Sequence, residues 1–189
     1  MSSEWPVNSI PRSLEEINPI ENGGQIPVSR EQLFELVETP LAEACALLYD
    51  KNIKTISSSA NKQDLASGEA YIVIDFDTLS RENQQIALEF AEPHTYHGSN
   101  PGRGVKLSFA IDQTTDLQEL SRQAREAADR FKKQPMMWAP SHTREELGIA
   151  PGDDLKPWED AGYFFDPKTD RFYQSKEHIA KVNEHIEAT

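Results

Sequence analysis

Three runs decide the fold: IKTISSS at 53–59, EAYIVIDFD at 69–77 and VKLSFAID at 105–112. Each is rich in β-branched or alternating apolar residues, and two polar loops and one amphipathic stretch separate them, so all three read as strands. In the second run Ile72, Ile74 and Phe76 share one face while Tyr71, Val73, Asp75 and Asp77 share the other. A strand apolar on both faces early in its length is expected at the centre of a sheet. In the third, Val105, Leu107, Phe109 and Ile111 alternate with Lys106, Ser108, Ala110 and Asp112, giving one core face and one wetter face.

Helix signals surround these runs. Ser29, followed three positions later by Gln32, forms a capping box, so a helix is expected from about Arg30, with a kink or a restart at Thr39-Pro40. Its stripe includes Leu33, Leu36, Leu41, Ala44, Cys45 and Leu48. Thr78 or Ser80 can cap a second helix running to about Ala91. Asp116 opens a third, whose Leu117, Leu120, Ala124, Ala127, Ala128 and Phe131 recur at helical spacing.

With a short strand at 26–28 added in front, the order is strand, helix, strand, strand, helix, strand. That order predicts an α+β fold, a four-stranded antiparallel sheet in the split βαβ (ferredoxin-like) arrangement with helices on one face. The expected organisation is an N-terminal flexible or wrapping arm at 1–25, a core at 26–134 and a C-terminal aromatic extension packed on the core at 135–189. In the arm, Trp5 and Ile10 are candidates to dock on the body, and Asn22-Gly23-Gly24 is a turn signal. In the extension, Asp166-Pro167-Lys168-Thr169-Asp170 reads as a hairpin turn between aromatic strands, and Ser175 caps a final helix.

Composition bounds the function. The chain has 189 residues, one cysteine, and 32 acidic against 19 basic residues, for a net charge of −13. A single thiol cannot form an internal disulfide, and without an apolar leader or spanning segment a cytoplasmic protein is expected, with no membrane partner. Every third of the chain is acidic, so no nucleic-acid partner is expected, since phosphate binding needs clustered Lys and Arg.

In a split βαβ order, the loop after the second strand and the loop before the fourth open at the same end of the sheet. That end, where the first strand also finishes, would gather Ser29, Ser57, Ser58, Ser59, Asn61, Lys62, Glu92, His94, Tyr96, His97, Asn100 and Arg103, and would send Asp75 and Asp77 to the other. Hydroxyls, amides, imidazoles and an Arg fork suit a small polar or anionic ligand. The expected ligand-binding set is Ser57, Ser58, Ser59, Asn61, His94, His97 and Arg103.

Sharper chemistry lacks its full pattern. His94 and His97 have no third ligand, so no metal is expected, and no nucleotide or other cofactor loop such as GxxxxGK[ST] is present. A hydrolase using Ser57–Ser59, His94 or His97, and Glu92 is one alternative to a binding or regulatory domain, although no GxSxG elbow supports it. Cys45, on a helical apolar stripe, reads as core. The other alternative is a protein-interaction module in which Trp138, Trp158, Tyr163, Phe164, Phe165, Phe172 and Tyr173 form a groove for a partner peptide.

Overall fold

The computed structural model describes residues 11–21, 25–97 and 101–186. Trp5, Ile10 and the Asn22-Gly23-Gly24 turn lie outside the described residues. Helix α1 spans Arg30–Leu36 and starts where the sequence pattern puts it: Ser29 Oγ accepts from the Gln32 N–H, and Gln32 Oε1 turns back to accept from Val28 N–H. Val37 then adopts an extended conformation, and the chain restarts as α2, Thr39–Asp50, with Pro40 in the first turn, where its missing N–H costs nothing.

Strands β1 (Thr55–Ser59) and β2 (Glu69–Asp75) form a wide antiparallel pair. Helix α3 (Arg81–Leu88), capped by Ser80, leads to β3 (His94–Tyr96) and β4 (Gly102–Ala110), and Asp116 caps α4 (Leu117–Asp129). The four-stranded sheet is antiparallel throughout, in the order β1-β2-β4-β3. Helices α2 and α4 pack together on one face, over Ile72, Ile74, Val105 and Leu107, all fully buried. Buried alanines on both helices, among them Ala44, Ala46, Ala124 and Ala128, keep this layer thin.

The α+β architecture and the strand count agree with expectation, but the order does not. Residues 25–27 have no regular structure, and the position beside β2 belongs to β4. The backbone of Val28 is committed elsewhere, since its N–H serves the α1 cap and its C=O accepts from Ser175 Oγ at 2.7 Å. The fourth strand comes instead from His94–Tyr96, inside what reads as a loop. Its register runs His94 to Gly104 and Tyr96 to Gly102, while Gly104 faces Asp75 across the other edge of β4.

The C-terminal part adds a second small sheet. Strand β5 (Ser141–His142) pairs with β7 (Arg171–Tyr173), which also pairs with β6 (Phe164–Asp166) after the short helix α5 (Lys156–Asp160); α6 (Lys176–Ile186) follows. The region is tied to the main sheet by a buried polar knot. Asn52, at a φ of 62°, donates through Nδ2 to Gln134 O at 2.7 Å and accepts through its carbonyl from Trp138 Nε1 at 2.9 Å. Its Oδ1 accepts from Lys181 of α6 at 3.0 Å, and Lys181 also donates to Tyr49 O at the end of α2. Among the described residues no helix is long and apolar enough to cross a membrane.

Candidate binding cavity on the open face of the sheet

The face of the sheet away from α2 and α4 carries the alternate residues of the same strands. Tyr71 and Val73 of β2, Lys106 of β4, and Ile56 and Ser57 of β1 line the floor of a cavity of about 560 Å³. His94, Tyr96 and His97 bound it on the β3 side, and Ile26 and Pro27 also line it. Tyr49, Ile53, Lys54 and Trp138 close the remaining side. Its volume falls within the ~300–1,000 Å³ of small-molecule sites.

Gly104 shapes this floor. A Cβ there would come within 2.7 Å of Val73 Cγ1 and 3.5 Å of Ile56 Cδ1, so only glycine lets those two apolar side chains lie flat across the sheet. At Gly102 the constraint is milder, since the Tyr96 hydroxyl would lie 3.2 Å from an added Cβ and would have to move only slightly.

Two ammonium groups line the cavity, each with a carboxylate partner outside the lining. Lys54 Nζ is 3.1 Å from Asp75 Oδ2, and Lys106 Nζ is 2.5 Å from Glu69 Oε2. Lys106 also sits 4.9 Å from the centre of the Tyr71 ring. Its ammonium, and then the Ser108 hydroxyl, hold the Glu69 carboxyl below the usual carboxylate range. Burial pushes the Tyr96 phenol up, helped by the negative charges of Asp75 and Asp77, so the ring is a neutral donor. Among the described residues around the cavity none is Asp or Glu.

A wider depression of about 930 Å³ beside α2 and α4 differs in this respect. Its wall contains Glu43 and Asp116 together with Arg12, Arg122 and Arg125. Arg122 is held by Glu119 and Glu126 on its own helix, so its charge is already answered there.

The expected loop-end site is divided by the register. His94 is level with Asp75 through Gly104, whereas Ser59 is level with Tyr71, four positions along β2. At ~3.3 Å per residue the two levels are about 13 Å apart. Ser57, level with Val73, lies between them and reaches the cavity with His94 and His97. Ser58 is level with Ile72 on the helix side, beside Cys45, whose thiol burial pushes up to about 12.

The other expected residues are engaged within the fold. Ser59 Oγ donates to Asp64 Oδ2 at 2.7 Å, and buried Asn61 donates to Glu38 Oε1 at 3.1 Å and to Ser59 Oγ at 3.0 Å. Arg103 pairs with Asp77 at 2.6 Å, and its backbone N–H followed by its guanidinium lowers the Asp77 carboxyl. Asp75 and Asp77 therefore stand at the histidine end, not opposite it. Asn100 lies outside the described residues.

Catalytic and metal constellations are absent from this set. Among the described residues no hydrogen bond joins Ser57 to His94 or His97, and no three His, Cys, Asp or Glu side chains are placed to hold a metal ion. The aromatic tail packs on itself: Phe172 and Tyr173 are buried, Phe165 and Phe172 rings are 5.0 Å apart, and Arg144 lies 4.5 Å over Phe165. Trp138 is buried in the core. Comparison with protein-family models, with curated proteins and with solved structures finds no match for this chain.

Lys54, Tyr71 and Lys106 belong to no site pattern in the sequence, and Trp138, expected in a peptide groove of the aromatic tail, lines this cavity instead. The one signal for them was that β2 is apolar on both faces, which calls for something to cover Tyr71 and Val73.

Proposed function

We propose that this chain is a binding module for a small molecule with an apolar body and an anionic group, taken up in the cavity on the open face of the sheet. The observation that carries this reading is the composition of the lining. In a chain with 32 acidic and 19 basic residues, the wall holds Lys54, Lys106, His94 and His97 and, among described residues, no carboxylate. The half-buried rings of Tyr71 and Tyr96 supply apolar surface, and the buried Tyr49 and Trp138 back it from the core side. Cys45, the single thiol, is buried and takes no part, which suits a reducing cytoplasmic setting.

The test uses two fluorescent probes with the same rings, anilinonaphthalene sulfonate and neutral N-phenylnaphthylamine. One-to-one binding is expected, with the sulfonate favoured roughly tenfold, as a charge-assisted hydrogen bond of ~1.5–3 kcal/mol implies. Ser57→Trp, which fills the cavity from the exposed side of an edge strand, should abolish binding of both probes while the circular dichroism spectrum is retained. Equal affinity for the two probes, or unchanged binding in Ser57→Trp, would overturn the reading.

A further inference from the structure

The two ammonium groups of the cavity are not equivalent. Lys54 is matched to Asp75, whose side chain is only 8% exposed and whose Oδ1 also accepts the Asp77 N–H. Drawing Lys54 toward a ligand would leave that carboxylate buried with a single donor, and an uncompensated buried charge is costly. Lys106 and Glu69 are 33% and 35% exposed, so water and salt already screen their attraction and exchange of partners costs little. Glu69 has a second donor in Ser108 to fall back on, and it lies outside the cavity that Lys106 lines.

We infer that Lys106 is the residue that takes the ligand's anionic group, that Glu69 is its built-in competitor, and that the ligand is a ring-bearing monocarboxylate. This rests on the binding reading above. A carboxylate placed on Lys106 Nζ has its attached body beside Tyr71, since the ammonium stands 4.9 Å from that ring and Tyr71 lines the cavity. From there the body meets Tyr96, Tyr49 and Trp138, whose faces and edges pair best with another ring. The other ammonium of the wall, Lys54, is committed to Asp75, so a second anionic group finds no second ammonium to pair with. One negative charge and one aromatic body therefore match what the walls offer.

Calorimetric titration with naphthylacetate, its neutral amide naphthylacetamide, and ring-free octanoate separates the parts. The wild type should bind naphthylacetate about tenfold tighter than the amide. Glu69→Gln should tighten naphthylacetate about threefold, by freeing Lys106 from a screened pair, and leave the amide unchanged. Lys106→Met should erase the preference for acid over amide, and Lys106→Arg should restore part of it. Loss of affinity in Glu69→Gln, or an intact acid preference in Lys106→Met, would overturn the assignment of Lys106. Octanoate binding as tightly as naphthylacetate would overturn the aromatic class. If Lys106→Met keeps the preference while Ser57→Trp still abolishes probe binding, the cavity reading stands and only the anchor falls.

Discussion

On the helix-covered face of the sheet, Ile72, Ile74, Val105 and Leu107 are fully buried, while on the opposite face their sequence neighbours Tyr71, Val73, Gly104 and Lys106 surround or shape a cavity. The same two strands supply both sets, one residue apart. The closed face is filled by branched side chains interlocking with α2 and α4, and each such side chain contributes roughly 1.5–3 kcal/mol by leaving water. The open face carries a phenol, an ammonium and a glycine, Gly104, over which Val73 and Ile56 lie flat. One face stabilises the fold and the other leaves room.

The strongest way to break this comparison is to truncate both faces equally. Leu107→Ala should cost about 2–5 kcal/mol in chemical denaturation, because the pocket it leaves among β2, α2 and α4 cannot collapse. Tyr71→Ala, on a half-buried residue at the cavity floor, should cost less than half as much. Equal losses would mean that the open face is as much core as the closed one.

What was legible from sequence follows the same division. The closed face was readable because β2 and β4 alternate with period two and α4 repeats its apolar residues at helical spacing, so the α+β class and the helix caps at Ser29, Ser80 and Asp116 agree with the structure. Membership of the sheet was not readable. A three-residue strand of His94, Thr95 and Tyr96 has no room to show alternation, and its partners Gly102 and Gly104 have no side chains to show it with. The 26–28 run had the better strand composition, but backbone demands from Gln32 and Ser175 override propensity there.

That one exchange of strands moved the site. It brought Asp75 and Asp77 to the histidines, left Ser59 and Asn61 to structural hydrogen bonds, and turned the cavity from a loop end to a sheet face. Ser57, His94 and His97 still reach the cavity. Lys106 and Tyr71 were present in the pattern only as the wet side of two strands.

The open face also depends on the C-terminal helix. His178 of α6 is 1% exposed, its ring 5.6 Å from Trp138 and 6.3 Å from Tyr49, beside the backbone of Pro27, and all three of these neighbours line the cavity. Burial lowers its pKa from the ordinary 6.5, and the nearby Lys181 ammonium adds to the effect. A lowered folded-state value means that its contribution is complete above pH 6.5, where the ring is neutral in both states. As pH falls below 6.5 the unfolded chain binds the proton first, and stability drops by up to about 1.4 kcal/mol per pH unit until the folded-state pKa is passed. His178→Phe should therefore flatten the stability profile just below pH 6.5, measured by urea midpoints, relative to the wild type. A closed-face substitution such as Leu107→Ala should shift the whole profile without changing that slope.

The smallest expected effect separates the two lysines of the open face from each other. Lys54→Met leaves Asp75 nearly buried with the Asp77 N–H as its remaining donor, so a loss of about 1–3 kcal/mol is expected. Lys106→Met breaks a shorter contact, 2.5 Å against 3.1 Å, yet should cost less than about 1 kcal/mol, because both of its partners are one-third exposed and Glu69 keeps the Ser108 hydroxyl. Distance and exposure thus predict opposite rankings. Denaturation midpoints that follow exposure leave Lys106 as a charge the fold can spare for a ligand. Midpoints that follow distance would make Lys106 part of the scaffold, and the open face would then differ from the closed one in its chemistry alone.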